Sequence, residues 1–81
     1  MGAEEIREWL DARPFVPFRI CLTDGKHFEI LHPEFVLLTR AVLEIGISRH
    51  NGSRLVDQIA RVSLPHVVRV ETIERAVKKA S

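Results

Sequence analysis

Four histidines and one cysteine are the side chains of this 81-residue chain that could do metal or acid–base chemistry. Imidazole titrates near neutral pH and binds zinc, and a thiolate can bind zinc or act as a nucleophile. No two histidines are spaced for one helix face or as a His-x-His pair on a strand, and a single cysteine forms no ligand cluster. The spacing therefore predicts no metal site and no cofactor at His27, His32, His50 and His66.

Cys21 could act as a nucleophile if a neighbouring histidine lowered its pKa, and the hairpin register described below places it opposite His27. A Cys–His pair alone lacks the third group that orients the histidine in a catalytic triad. The alternative is a small residue on the outer face of a sheet or at an interface, which we favour because buried cysteine usually behaves as a hydrophobe. The chain also has no G-x-S-x-G, P-loop or dinucleotide fingerprint. We therefore expect no enzyme, no catalytic residue and no small-molecule substrate.

The most basic exposed cluster is a loop in which Arg49, His50 and Arg54 flank Asn51 and Gly52. Such a loop can hold phosphate through its side-chain charge and its backbone N–H groups, although it can equally be a solvated loop. Twelve Lys and Arg against eleven Asp and Glu give a net charge of +1, far from the basic excess typical of nucleic-acid binders. Any RNA contact is therefore expected to be local to these loop residues.

Two short alternating runs around Thr23-Asp24-Gly25 predict a β-hairpin. A two-residue loop at Asp24-Gly25 would pair each apolar side chain with a polar one. A type I turn over Thr23 and Asp24, with Gly25 at positive φ as a bulge, makes one face apolar and gives the other an ion pair. The predicted pairs are Phe18 with Ile30, Arg19 with Glu29 and Ile20 with Phe28.

A helix is predicted over residues 3–13, where Ile6, Trp9 and Leu10 share one face and Pro14 ends it. Further strands are predicted at 35–38, at 42–47, within 55–64 with 59–62 as the end of the strand, and at 67–71. A 3₁₀ turn is predicted over 63–66, and a short helix or frayed tail over 72–81.

The chain's apolar content, 46% of its residues, is more than one small core needs, so we expect a homo-oligomer. The uninterrupted apolar run at 35–38 is typical of a strand covered on both faces or lying at an interface. The predicted interface residues are Phe35, Val36, Leu37, Leu38, Val67 and Val68.

These elements predict a mostly β (α+β) fold in one domain, residues 1–81, with a helix followed by a five- or six-stranded, strongly bent antiparallel barrel over 18–71. A barrel is favoured because closure removes exposed strand edges. No apolar run approaches the roughly 18 residues of a membrane span, and a lone cysteine suits a reducing compartment. We therefore expect a soluble cytoplasmic protein with no membrane partner.

The segment Arg19-Ile-Cys-Leu-Thr-Asp-Gly25 is similar to the first strand and glycine turn of Sm-like proteins, and Ser63-Leu-Pro-His-Val-Val-Arg-Val-Glu71 to their second conserved segment. Together with the order of elements, the chain resembles Sm-like and SH3-like small barrels from Ile6 to Glu71. It departs from the Sm pattern at Ile30, where a second glycine is usual. The phrase Pro14-Phe-Val-Pro-Phe-Arg-Ile20 also resembles a group of small uncharacterised bacterial proteins.

Two functional hypotheses follow. The first is a non-enzymatic small-barrel module for binding or scaffolding that self-associates. The alternative, implied by the Sm-like resemblance, is an RNA-binding ring that uses the 49–54 loop.

Overall fold

The structure is a computed structural model that describes residues 1–48 and 55–73. Its helix and strands are α1 Ala3–Asp11, β1 Phe18–Leu22, β2 His27–Ile30, β3 Val36–Leu38, β4 Val42–Ile47, β5 Gln58–Ser63 and β6 Val67–Thr72. The strands form two three-stranded sheets: sheet A has the order β2-β1-β6, and sheet B has the order β3-β4-β5. Every strand pair is antiparallel. The predicted helix followed by antiparallel strands is confirmed at this level.

The β1–β2 hairpin has the predicted register, with Phe18 opposite Ile30, Arg19 opposite Glu29 and Ile20 opposite Phe28. Gly25 has a φ of +88°, and its N–H donates to the Leu22 carbonyl at 3.0 Å. A side chain at this φ would clash with its own backbone, which is why glycine occupies the position. The bulged-turn prediction is confirmed.

Helix α1 ends at Asp11, two residues before the predicted end at residue 13. Ala12 is already extended, with φ −59° and ψ 139°, and the Arg13 guanidinium donates to the carbonyls of Leu10 and Ala12. Because Pro14 disfavours helical geometry in the residue before it, the chain leaves the helix early. The predicted boundary was therefore wrong by these two residues.

One hydrophobic core lies between α1 and the inner faces of the two sheets. Phe18 is fully buried, and the half-buried Trp9 of α1 lies against it with ring centroids 5.3 Å apart. The helix is thus held by aromatic packing as well as by its buried stripe. The other largest fully buried side chains are Ile6, Ile20, Ile30 and Leu43.

The described chain passes between the sheets through two 3₁₀ turns, at Pro33–Phe35 and Leu64–His66. The second turn confirms the prediction over 63–66. The first was not predicted, and it shortens the expected strand at 35–38, because the Phe35 N–H bonds to the His32 carbonyl at 3.1 Å and not to a strand. The tail beyond residue 73, including most of the predicted 72–81 helix, lies outside the described residues.

Candidate interaction surfaces

The predicted anion- or RNA-contact residues, Arg49, His50, Asn51 and Arg54, lie outside the described residues. The strands on either side of them are described. β4 ends at Ile47, which pairs with Gln58 at the start of β5, and the Asp57 N–H donates to the Ile47 carbonyl at 2.9 Å. Local RNA contact by these residues stays a prediction.

The histidines within the described residues are dispersed. His27 is exposed on β2, His32 precedes the first 3₁₀ turn with its ring 5.6 Å from that of Phe35, and His66 ends the second turn. Across residues 1–48 and 55–73, no group of three His, Cys, Asp or Glu side chains is arranged to hold a metal ion. Within the same ranges, no helix has the length and apolar character needed to cross a membrane.

Along β3, the predicted interface run alternates between the core and the surface. Val36 and Leu38 are half-buried and pack against the core, whereas Leu37 between them is 69% exposed. Phe35 is half-buried in the turn that precedes the strand. Within one chain, therefore, β3 is covered on one face, and Leu37 is the member of this run that is free to contact another molecule.

The two predicted interface residues on β6 also have different environments. Val67 is 3% exposed and belongs to the core, whereas Val68 is 51% exposed. Leu22 pairs with Val67 and Cys21 with Arg69, so Val68 is the extra residue of a β-bulge. The chain itself covers Val67, which leaves Val68 as the accessible residue of the pair.

The outer face of sheet B carries an apolar surface of which one residue, Leu37, was predicted from the sequence. Leu37 and Ile59 point outward from β3 and β5, with exposures of 69% and 67%, and the 40% exposed Val56 lies over Gly46 of β4. A Cβ atom at Gly46 would stand only 2.9 Å from the Val56 Cγ2 atom, so the glycine makes room for this side chain. We call Leu37, Val56 and Ile59 the sheet B patch.

An ion pair borders the sheet B patch. Glu44 of β4 lies between Leu37 and Arg61 in the strand register, and its Oε2 is 3.5 Å from the Arg61 Nε. Polar groups around exposed apolar side chains are typical of interaction surfaces.

The outer face of sheet A is ionic instead. Arg19 of β1 donates to Glu29 at 3.0 Å and lies 3.6 Å from Glu71, which also accepts a hydrogen bond from Arg69. That hydrogen bond from Arg69, together with the charges of Arg69 and Arg19, lowers the pKa of Glu71 from its ordinary value. The Glu29 hydrogen bond likewise raises the pKa of Arg19.

Cys21 lies within this ionic face, opposite His27 as predicted, and is only 9% exposed. Its second cross-strand neighbour is Arg69. The thiol is thus almost covered, as expected for a small residue in a sheet.

The chain matches no family model, no curated protein and no solved structure.

Proposed function

We propose that this protein is a non-enzymatic binding or scaffolding module that self-associates through the sheet B patch and the adjoining edge of β5. The observation that carries the proposal is the arrangement of Leu37, Val56 and Ile59, three exposed apolar side chains on one sheet face. Removing such apolar area from water favours association, by about 25 cal/mol per Å² before the entropy and desolvation costs of binding are subtracted. A second copy of the chain supplies a surface of the same kind.

The edge of β5 adds backbone hydrogen bonds to this apolar contact. β5 has six residues, and in the described part of the chain it pairs with β4 alone, so its other edge has N–H and C=O groups without a strand partner. An unpaired edge next to exposed apolar side chains is a template for pairing with another chain. Of the other edge strands, β2 and β3 are shorter, with four and three residues, and are weaker templates. The edge strand β6 also has six residues, but it lies beside the charged outer face of sheet A.

We also propose that the two sheets are the halves of a small Sm-like or SH3-like barrel. Along the chain, β2 of sheet A leads to β3 of sheet B and β5 of sheet B leads to β6 of sheet A, with a 3₁₀ turn at each passage. Nuclear Overhauser contacts between backbone amides of β2 and β3 would support a barrel that is continuous through these two strands and leaves the β5 edge open for self-association. Their absence in a fully assigned spectrum would leave two open sheets.

The mass of the purified protein by multi-angle light scattering tests the self-association. We expect the wild type to have a mass of at least twice the 9.3 kDa of one chain. Ile59→Lys should dissociate the oligomer, because a charged side chain in the patch must lose its hydration on association. Val16→Lys is the matched control, since Val16 is 42% exposed but precedes β1 of sheet A.

A wild type that stays monomeric at its highest soluble concentration would refute the proposal. Equal dissociation by Val16→Lys would show that the contact lies elsewhere. Circular dichroism of each variant verifies that a change of mass is not a loss of folding.

A further inference from the structure

A cleft of about 350 Å³ opens at the end of the molecule where the β1–β2 turn faces β5 and the second 3₁₀ turn. Its walls come from different parts of the fold, one from the hairpin of sheet A and the other from β5 and the turn after it. The described lining residues are Leu22, Thr23, Asp24, Lys26 and Phe28 on the first wall, and Arg61, Val62, Ser63 and His66 on the second.

Hydrogen bonds hold the two walls together at one end. The Thr23 N–H donates to the His66 carbonyl at 2.9 Å, and the Thr23 Oγ1 lies 3.4 Å from the His66 Nδ1. On the hairpin side, the Leu22 N–H donates to the Lys26 carbonyl at 2.8 Å. The cleft is therefore formed by the fold itself, as small-molecule sites usually are.

Both walls of the cleft include apolar side chains. Val62 is 5% exposed and belongs to the core, while Leu22 and Phe28 pack against that core but stay half-buried. The exposed parts of the Leu22 and Phe28 side chains form an apolar surface on which the body of a ligand can pack. Binding would remove this apolar area from water.

The rim of the cleft has an excess of positive charge. The charged lining residues are two cations, Lys26 and Arg61, and one carboxylate, Asp24. The Asp24 Oδ1 accepts a hydrogen bond from the Lys26 backbone N–H at 2.9 Å. Lys26 forms no ion pair with the described residues. Arg61 has a side chain that is 72% exposed and only a 3.5 Å contact to Glu44, so it can turn toward a ligand.

We propose that this cleft binds a small organic anion with an apolar body and one carboxylate or phosphate head. The body lies on Leu22 and Phe28, and the head lies between Lys26 and Arg61, with the Ser63 hydroxyl at the rim as a hydrogen-bond donor. This inference goes beyond self-association, because it concerns a ligand other than a second copy. The second wall of the cleft shares β5 and Arg61 with the proposed self-association surface, whereas the hairpin wall does not belong to that surface.

The test is a titration of ¹⁵N-labelled full-length protein followed by ¹H–¹⁵N NMR, with 2-naphthoate, 2-naphthyl phosphate, 2-naphthylmethanol and acetate as probes. We expect the two aromatic anions to shift the amides of the cleft residues and to bind about tenfold more tightly than the neutral alcohol, because the head gains charge-assisted hydrogen bonds. Acetate, which has no apolar body, should shift none of them. The tighter of the two aromatic anions identifies the head group.

Lys26→Met should weaken 2-naphthoate binding about threefold to tenfold by removing one charged contact. Arg40→Met is the matched control, because Arg40 is an exposed cation that does not line the cleft, and it should leave the affinity unchanged. The same titration on Ile59→Lys separates this proposal from self-association, since the cleft should bind even when the oligomer is lost.

Three results would overturn the proposal. They are no shifts with either aromatic anion, shifts that map outside the cleft, and equal affinity for 2-naphthoate and 2-naphthylmethanol.

Discussion

Gly25 shows how one residue determines the register of the β1–β2 hairpin. Its φ of +88° belongs to the left-handed region, and no neighbouring atom lies within 4 Å of where a Cβ would stand. A substitution there is therefore strained by its own backbone and not by crowding. We expect Gly25→Ala to lower the free energy of unfolding by about 1–2 kcal/mol, measured by urea denaturation.

Gly25→Asn is the matched variant, because asparagine tolerates left-handed geometry better than alanine. It should retain part of the stability that Gly25→Ala loses. Equal losses in the two variants would contradict a backbone origin of the effect.

Glu71 carries a pH dependence that belongs to the ionic face of sheet A. The hydrogen bond from Arg69, and the charges of Arg69 and Arg19, lower its folded-state pKa below the ordinary 4.5. A carboxyl group with a depressed pKa stabilises the folded state above its unfolded-state pKa, and this contribution is lost as pH falls through the folded-state pKa. Glu71→Gln should therefore lower the melting temperature at neutral pH and bring it toward the wild-type value in acid.

The comparison requires melting curves for the wild type and Glu71→Gln from pH 7 down to pH 2, at low and high salt. Salt should reduce the difference, since these side chains are partly exposed. Glu8→Gln, on the exposed face of α1, is the control for removing one negative charge. A difference that is constant with pH would refute the assignment to this carboxylate.

Among the elements, β1 and β2 could be predicted in detail because alternation and the turn glycine both require the same register. The exposure of Ile59 could not be predicted in this way. The face it occupies depends on the β4–β5 register, in which it lies opposite Gly46. The sequence between the two strands contains no short turn signal that would determine this register. Ile59 was therefore absent from the predicted interface, whereas Leu37 was part of it.

The bulge in β6 gave no sequence signal either. Val67-Val68 looks like continuous strand in the sequence, and both positions were predicted as interface residues. Between the pairs Cys21–Arg69 and Leu22–Val67, however, β6 moves by two residues while β1 moves by one. That offset buries Val67 and exposes Val68. A bulge is determined by the neighbouring strand, and its position is not visible in the local apolar pattern.

Matched substitutions on β6 test this assignment. We expect Val67→Ala to lower the free energy of unfolding by about 1.5–3 kcal/mol, because it removes buried apolar area. Val68→Ala should change it by no more than about 0.5 kcal/mol in the monomer, as at other surface positions. Urea denaturation of both variants at low protein concentration provides the measurement. Similar losses at the two positions would mean that β6 has no bulge.

At the scale of the whole molecule, the outer faces of the two sheets have opposite character. Sheet A exposes linked charges, of which Arg19 contacts both Glu29 and Glu71, whereas sheet B exposes the patch of Leu37, Val56 and Ile59. Charged faces keep their hydration, while apolar ones favour contact. An assembly of this chain is therefore expected to form through sheet B and to leave sheet A facing water.

RNA binding distinguishes this assembly from the alternative of an Sm-like ring that uses the 49–54 loop. With a net charge of +1, the chain offers RNA only local attraction, mainly from Arg49 and Arg54. Contacts from two or three cations to single-stranded RNA would lose about tenfold in affinity between roughly 50 and 200 mM salt. Our proposal predicts no such binding when a short labelled RNA is titrated by fluorescence anisotropy at these two salt concentrations. Binding that falls steeply with salt and is lost in the Arg49→Met/Arg54→Met double variant, but not in Lys78→Met/Lys79→Met, would favour the ring instead.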